Sequence, residues 1–372
     1  MSTSRILVTV LLSVLPFGIG SLDAGSTGSG VGDDRVGRID HLDTLILPPG
    51  TALDGVPVGG LSGIDYTPEA GFVVISDDRG EVGPVRMYTL SLPIDDGVLG
   101  EPQFLTRIDL LDRDGAPFPP RSADTESVRW APGADGVLYT SEGEAQAGLA
   151  GFVREAGLDG GYRTEVPLPD AYTPRLDESG GLVSGIRDNL GFEAMDLVRD
   201  GAAVVAVTEN ALVQDGPEAG PDVESPARLL EIDRGSGAVL GEYIYPVDRV
   251  APGALPQATG VSEVLAVGDR SYLTLERSLF PETGLFTGRI YETSTAEAEN
   301  VAGEFAVSPD TVRMDKRLLF DFASAGVDPQ CVEGMTWGPR LPDGRRSLVV
   351  VSDDNFGVAG QTAFHLLAVS EK

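Results

Sequence analysis

Apolar and polar residues alternate along this chain in short runs separated by turn sequences. In the first repeating part the runs are SGIDYTP, GFVVISDD, VRMYTLSLP and QFLTRIDLL. Val, Ile, Leu and Tyr dominate these runs, and alternation with a period of two is typical of half-buried strands. Helical periodicity is scarce, and the 48 Gly and 26 Pro residues fit a turn-rich protein. The pattern therefore predicts an all-β fold.

A similar block of sequence occurs five times. Each block opens with a polar residue between apolar ones and runs through a turn into a second strand that ends in an acid. The opening polar residues follow one another at intervals of 64 to 70 residues. A repeat of this length is a unit of several strands that must pack on its neighbours to bury its faces. The blocks begin at Leu61, Thr125, Phe192, Val261 and Val332.

The last block lacks an outer strand, and the segment Arg38–Gly50 precedes the first block without a partner of its own. If this segment supplies the missing strand, the units close into a ring and no sheet edge stays open. The sequence thus predicts a β-propeller of four-stranded blades, closed by an N-terminal strand that joins the last blade. Five blades are favoured; a sixth would have to lie within Leu158–Asn189 or Phe280–Asp321.

The repeated acids should gather at one end of the propeller axis. Carboxylates placed this close repel one another unless a cation lies among them or some are protonated. Ca²⁺ takes about six to eight oxygen ligands and needs neither His nor Cys, so calcium or another divalent cation is the expected cofactor. The candidate metal ligands are Glu126, Glu193, Glu263, Glu333, Asp77, Glu142, Glu209, Glu276 and Asp353.

The charge balance narrows the possible partners. The 58 acidic and 27 basic residues give a net charge of −31, which would repel a phosphate backbone and argues against nucleic acid. Only two histidines, His41 and His365, are present, which disfavours a histidine zinc site and a Ser-His-Asp triad. Cys331 is the single cysteine, so no intrachain disulfide forms, and we expect it to be buried and unreactive.

The N-terminus has the pattern of an export signal. Arg5 precedes an apolar stretch, Ile6–Gly20, that is too short to cross a membrane comfortably, and small residues follow it. We interpret residues 1–24 as a signal peptide, 25–35 as a flexible linker and 36–372 as one propeller domain. A secreted or periplasmic protein follows, with no stable membrane insertion after cleavage; an uncleaved anchor is the alternative.

Four segments resemble the phytase-like family, whose members are described by the phrase "esterase-like activity of phytase". The resemblance covers Arg38 to the C-terminus, and its most specific part is EGMTWGPRLPDGRR followed by VSDDN. It implies a β-propeller related to calcium-dependent phytases, with hydrolase activity on phosphate or other esters. The segments are Leu61–Gly80, Asn189–Leu197, Leu275–Glu292 and Val332–Phe356.

Metal-assisted hydrolysis of a phosphate ester is the function that these features favour. A bound cation would hold the phosphate while a carboxylate activates water. We expect Glu193 and Glu333 to take part in catalysis, together with Arg79 and Arg277, which each lie just after a candidate ligand. Lys316 is the only lysine before the C-terminal residue, so a smaller ester suits the chain better than phytate.

Two other functions stay open. A non-catalytic propeller could use calcium for stability and bind a partner through its loops. A metal-dependent esterase or lactonase could use the same carboxylates, since a cation would also polarise a carbonyl. Any single acid could instead cap a strand end. In each case we expect a monomer, and for the enzymes a small ester or phosphoester as substrate.

Overall fold

Five four-stranded antiparallel sheets form the blades of a propeller within residues 36–371, the part of the chain that the computed structural model describes. The first strand of each blade contacts the first strands of both neighbouring blades, so these inner strands form a closed ring around the axis. The predicted signal peptide (1–24) and linker (25–35) lie outside the described residues. Among the described residues, no helix has the length and apolar character to span a bilayer.

The blades follow one another in chain order, and within each blade the strands run from the inner to the outer position. Blade 1 comprises Leu61–Thr67, Gly71–Ser76, Arg86–Ser91 and Gln103–Asp109. Blade 2 comprises Thr125–Trp130, Gly136–Ser141, Phe152–Gly157 and Tyr162–Val166. Blade 3 comprises Phe192–Val198, Ala203–Ala211, Ser225–Asp233 and Val239–Val247. Blade 4 comprises Leu255–Gly268, Ser271–Phe280, Leu285–Ser294 and Asp315–Asp321. Blade 5 comprises Cys331–Trp337, Arg346–Asp353, Ala363–Glu371 and, as its outer strand, Val36–Ile46.

The remaining elements are short. Three two-stranded hairpins pair Ala52–Leu53 with Val56–Pro57, Ile94–Asp95 with Val98–Leu99, and Arg175–Leu176 with Leu182–Ser184. Three 3₁₀ turns lie at Ala145–Ala147, Asp170–Tyr172 and Asn355–Gly357. The two long segments that could have held a sixth blade contain only strands of blades 2 and 4, one of these hairpins and one of these turns. The described residues therefore have five blades, as the repeat predicts.

The hydrophobic core is divided among the blade interfaces. Five clusters of buried apolar residues occur, and each combines side chains from two neighbouring blades. Phe72 and Leu90 of blade 1, for example, pack with Val349 and Leu366 of blade 5. Each blade thus buries both faces against its neighbours, which explains why a single repeat would not be stable alone.

Glycine allows the inner strands to approach one another closely. A Cβ atom on Gly63 would lie 2.5 Å from the carbonyl oxygen of Glu126 in blade 2. A Cβ atom on Gly334 would lie 2.9 Å from the carbonyl oxygen of Ser62 in blade 1. Side chains at these two positions would push the inner strands of blades 5, 1 and 2 apart and widen the axial channel.

The N-terminal strand closes the ring as predicted. Val36–Ile46 pairs antiparallel with Ala363–Glu371, with Ile39 opposite Val369. A chain of hydrogen bonds joins the two strands. His365 Nε2 donates to the carbonyl of Pro329 (3.1 Å), so its Nδ1 must accept from the Thr44 hydroxyl (2.9 Å). Thr44 Oγ1 in turn accepts from His41 Nε2 (2.8 Å), which gives both histidines a structural role.

We expect His365 to make the stability of the propeller depend on pH. Burial lowers its pKa from 6.5 to about 4. Below pH 6.5 the unfolded chain binds a proton that the folded state resists, so the contribution of His365 to stability falls progressively until about pH 4. The shift corresponds to about 3 kcal/mol. The free energy of unfolding in urea, measured at several pH values, should therefore rise for His365→Gln relative to the wild type as the pH is lowered from 6.5 to 4. His41→Gln should keep most of the wild-type dependence, and equal slopes for all three proteins would contradict the assignment.

Candidate functional site

The start of each inner strand and the end of each second strand lie at the same end of the propeller, because the two strands are antiparallel. Each inner strand also has a register shift near its start. Such a bulge re-aims side chains away from the regular alternation of a strand. Blade 4 has three such shifts, of which the one between Val261 and Glu263 corresponds to those of the other blades. The residues within the corresponding shifts are Ser62, Glu126 with Ser127, Glu193, Ser262 and Glu333. They include the predicted opening residues of four blocks.

Eight carboxylates gather at this end of the axis in what we term the acid bowl. Its ligand atoms form three overlapping groups, each with all atoms within 4.8 Å of one another: Asp124–Glu126–Glu142, Glu126–Glu193–Glu333 and Glu142–Glu193–Glu209. Asp77 and Asp353 adjoin Glu333 closely enough for their charges to interact. The acid bowl therefore consists of Asp77, Asp124, Glu126, Glu142, Glu193, Glu209, Glu333 and Asp353.

Seven of these eight acids are candidate ligands from the repeat, and Asp124 is the one that the repeat does not reveal. Asp124 lies two residues before Glu126, and the equivalent positions in the other blades are Gly60, Gly191, Gly260 and Cys331. An acid at this position occurs in one block only, so no periodic signal marks it. Its burial and its neighbours in the bowl are visible only in three dimensions.

The structure does not place Glu263 and Glu276 in the acid bowl. In blade 4, Val261 pairs with Glu276, and Glu263 pairs with Leu275, so that Ser262 lies in the register shift. The predicted alignment of this block is thus displaced by one residue at both positions. Because side chains alternate along a strand, a shift of one residue directs each to the opposite face.

Arg277 occupies the bowl position that Glu276 was expected to fill. In the other four blades, one residue of the second strand pairs with the residue just before the register shift, and an acid follows it directly. In blade 1, for example, Ser76 pairs with Leu61 and is followed by Asp77. In blade 4 the same position holds Arg277. Its guanidinium lies 3.0 Å from Glu333, 3.1 Å from Glu209 and 3.4 Å from Glu193.

Glu276 and Glu263 instead belong to separate ion pairs. Glu276 accepts hydrogen bonds from Lys316 and from the Tyr245 hydroxyl, between blades 3 and 4. Glu263 lies 3.0 Å from the guanidinium of Arg129 and accepts a hydrogen bond from the backbone of Val264.

Arg129 is the centre of a buried network further along the axis. Its guanidinium lies 3.0 Å from Asp196 of blade 3 and donates to the carbonyls of Ile64 in blade 1 and Val264 in blade 4. Asp65 of blade 1 accepts from the Trp130 backbone at 2.7 Å and from Thr336 of blade 5 at 2.9 Å. This channel network, composed of Asp65, Arg129, Asp196, Glu263 and Thr336, links the inner strands of all five blades.

Arg79 lies at the rim of the bowl. Its guanidinium lies 2.6 Å from Asp124 and 3.3 Å from Glu144, and it also donates to the side-chain carbonyl of Asn189. Its side chain is 23% exposed, whereas that of Arg277 is 9% exposed. Arg121 reaches Glu144 from the solvent side at 2.9 Å. Of the two predicted catalytic arginines, Arg79 is therefore the one accessible to a ligand from solution.

The negative charge of the acid bowl exceeds the positive charge of the arginines that contact it, Arg79 and Arg277. Burial, with repulsion from Glu333, raises the pKa of Asp77 to about 7. Burial raises the pKa of Glu209 to about 8, against the opposing effect of Arg277. Burial and neighbouring carboxylates also raise the pKa values of four other members well above their ordinary range: Asp124, Glu126, Glu193 and Asp353. A bound cation would relieve this repulsion and release protons.

Two members have oxygens without partners. The Glu126 carboxylate is part of two of the three groups, and the residue is 6% exposed. Among the described side chains, which leave out residues 256 and 257, it has neither a hydrogen bond nor an ion pair from its side chain. Asp77 Oδ1 is likewise buried without a hydrogen-bond partner among these residues. A fully buried carboxylate oxygen without a partner, such as Asp77 Oδ1, is costly, and a hard divalent cation is the partner that satisfies it best.

Cys331 is buried at the edge of the bowl, and its thiol donates to Glu333 Oε1 at 3.1 Å. Burial and the adjacent Glu333 raise the pKa of the thiol well above its ordinary value. The thiolate is the reactive form, so this thiol is a weak nucleophile.

The fold and this site define a five-bladed propeller with a buried acidic site at one end of its axis. The chain belongs to the phytase-like family, described as "esterase-like activity of phytase", whose model matches residues 56–356. No curated protein matches the chain.

Several solved structures match most of the chain at low sequence identity and with TM-scores below 0.4. The major allergen Mala s 1 of Malassezia sympodialis is 9% identical with a TM-score of 0.39, over 85% of this chain and 95% of the allergen. A protein of unknown function from Dyadobacter fermentans is 11% identical with a TM-score of 0.37, over 89% and 99% of the two chains. A putative 6-phosphogluconolactonase from Bacteroides uniformis is 14% identical with a TM-score of 0.35, over 83% and 85%.

Proposed function

We propose that this protein is a hydrolase of small phosphate esters that depends on a divalent cation, with calcium as the cation. The observation that carries the proposal is the carboxylate of Glu126, a residue that is only 6% exposed, belongs to two of the three ligand groups and has no side-chain partner among the described residues. Membership of the phytase-like family supports hydrolysis as the activity. Export to the periplasm or the medium is part of the proposal, as is a monomeric state.

The donor set fits calcium. Every candidate ligand in the bowl is a carboxylate, and hard oxygen donors in flexible numbers are what Ca²⁺ prefers. Asp124, Glu126 and Glu142 form the group most open to a cation: Arg277 contacts Glu193, Glu209 and Glu333, whereas in this group only Asp124 has a basic partner, Arg79 at the rim. When bound, the cation would screen these charges and polarise a phosphoryl oxygen.

The residues of the chain then have distinct tasks. Arg79, at the rim, would donate hydrogen bonds to the phosphate and hold it against the bowl. Glu193 and Glu333 lie next to Glu126 and are our candidates to orient a water molecule and accept its proton. Arg129, Asp196, Glu263 and Thr336 of the channel network are buried along the axis beyond the bowl, so we expect substrate to approach from the loop side.

The charge around the bowl limits the substrate. Of the arginines near the bowl, Arg277 is held by three carboxylates, and Arg79 and Arg121 share Glu144. A polyanion such as phytate would meet strong repulsion, whereas a phosphate monoester with one charged group requires only the cation and Arg79.

The test is hydrolysis of a small chromogenic phosphate ester by the purified protein, with calcium and after chelation. A carboxylic ester of the same chromophore serves as the comparison. Calcium-dependent release from the phosphate ester alone supports the proposal. Release from the carboxylic ester alone would favour the esterase or lactonase alternative. Calcium-dependent thermal stabilisation without release from either ester would instead favour the binding propeller.

Replacing Arg79 with methionine should lower kcat/KM for the phosphate ester by about 100-fold, because a charge-assisted contact to the phosphate is lost. Calcium affinity should not fall, since Arg79 contributes no ligand and its removal releases Asp124 from an ion pair. Arg163→Met, which removes an exposed ion pair at the opposite end of blade 2, is the matched control and should leave kcat/KM unchanged. Full activity of the Arg79 variant would contradict this role.

A further inference from the structure

We infer that Arg277 is a resident counter-ion that fills one half of the acid bowl in place of a cation. Removing its charge should therefore open an additional cation site at Glu193, Glu209 and Glu333. The first observation is positional: four blades place an acid at the end of the second strand, and blade 4 alone places a guanidinium there.

The second observation is the set of contacts. Arg277 Nε lies 3.0 Å from Glu333, Nη1 lies 3.1 Å from Glu209 and Nη2 lies 3.4 Å from Glu193. One side chain thus uses all three of its nitrogens on carboxylates from blades 3 and 5. The side chain is 9% exposed, so solvent contributes little to balancing these charges. A buried cation with three carboxylate neighbours has the surroundings of a metal ion.

The other half of the bowl is only partly balanced: Arg79 pairs with Asp124 at 2.6 Å from the rim, but makes no ion pair with Glu126 or Glu142 among the described residues. Glu126 is 6% exposed, and its carboxylate has no polar partner among the described residues. It lies within 4.8 Å of Asp124 and Glu142 on one side and of Glu193 and Glu333 on the other. Arg277 balances the second side, so a cation from solution is expected on the first. This part of the inference rests on the cation of the proposed function, but not on the hydrolysis.

The experiment counts bound calcium ions by isothermal titration calorimetry on the purified, chelator-treated protein. Arg277→Met keeps much of the side-chain length and removes the charge, so this variant should bind one calcium ion more per chain than the wild type. Arg277→Lys keeps the charge and should bind the wild-type number. Adding Glu209→Gln to Arg277→Met removes one of the three carboxylates and should weaken the additional site by at least tenfold.

A folded Arg277→Met protein with the wild-type number of ions would overturn the inference. So would a variant that does not fold even in excess calcium, because a cation could then not replace the guanidinium. The number of bound calcium ions and the hydrolysis of esters are separate results. If Arg277→Met binds one additional calcium ion but the wild type hydrolyses no ester, the proposed function is refuted and the inference about Arg277 still stands.

A second measurement uses the wild-type arginine. With Arg277 in place, Glu209→Gln should change calcium affinity by less than about threefold, since Glu209 serves the arginine and not the cation. Glu142→Gln, at the same strand position in blade 2, should lower the affinity by at least tenfold. Equal losses for both variants would show that the bowl is not divided in this way.

Discussion

Replacing Glu126 with glutamine will lower the affinity for calcium by on the order of 100-fold or more, because a central carboxylate ligand loses its charge. The same change should raise the melting temperature of the cation-free protein, since one source of repulsion disappears from a crowded, buried cluster. Calorimetric titration and thermal melts with and without calcium measure both effects. Loss of a ligand lowers the calcium affinity but raises the melting temperature without calcium. General damage to the fold would instead lower both.

Glu276→Gln is the matched control for this prediction. Glu276 lies in the second strand of blade 4, one residue before the position equivalent to Glu142, and it contacts Lys316 and Tyr245 outside the bowl. Calcium affinity should stay within about threefold of the wild type. Unchanged affinity in the Glu126 variant, or an equal loss in both, would mean that the cation binds elsewhere.

Replacing Arg129 with methionine should destabilise the propeller by about 3–5 kcal/mol, the usual effect of removing one partner from a buried ion pair. Glu263 and Asp196 would be left without their guanidinium, and the carbonyls of Ile64 and Val264 would lose a donor. Since whole domains are stable by only about 5–15 kcal/mol, a loss of this size would be visible at once in urea unfolding followed by tryptophan fluorescence.

Arg163→Met, which removes a partly exposed ion pair with Asp135, should cost less than about 1 kcal/mol. Comparing this variant with Arg129→Met therefore separates the stability lost with the channel network from the stability lost on replacing any arginine. If Arg129→Met unfolded at the wild-type urea concentration, the network would not be what holds the inner strands together.

The propeller could be predicted from sequence because its evidence is repeated. Five blocks with the same alternation and turns reveal the unit, and the unpartnered segment before Leu61 reveals how the ring closes. Each block confirms the others, so an irregular loop in one of them does not obscure the pattern. The gathering of seven acids at one end of the axis followed from the same periodicity.

The rest of the site depends on features that occur once. In blade 4 the block VSEVL offers Ser262 and Glu263 as opening residue, and only the pairing of Val261 with Glu276 decides between them. Residue type alone favours the glutamate, and this misalignment by one residue wrongly assigned both Glu263 and Glu276 to the bowl. Asp124 and the contacts of Arg277 have no counterpart in the other blades, so no pattern could indicate them.

The closing strand has a consequence for how this chain reaches its native state. Thr44 and His365, which bond directly, are separated by 321 positions in the chain. Contacts between such distant residues form slowly, because the intervening loop must be ordered before they contribute. Until Ala363–Glu371 is available, Val36–Ile46 is a strand with an open edge, and open edges pair with other chains. A product that ends before residue 363 should therefore aggregate even though four of its five blades are complete.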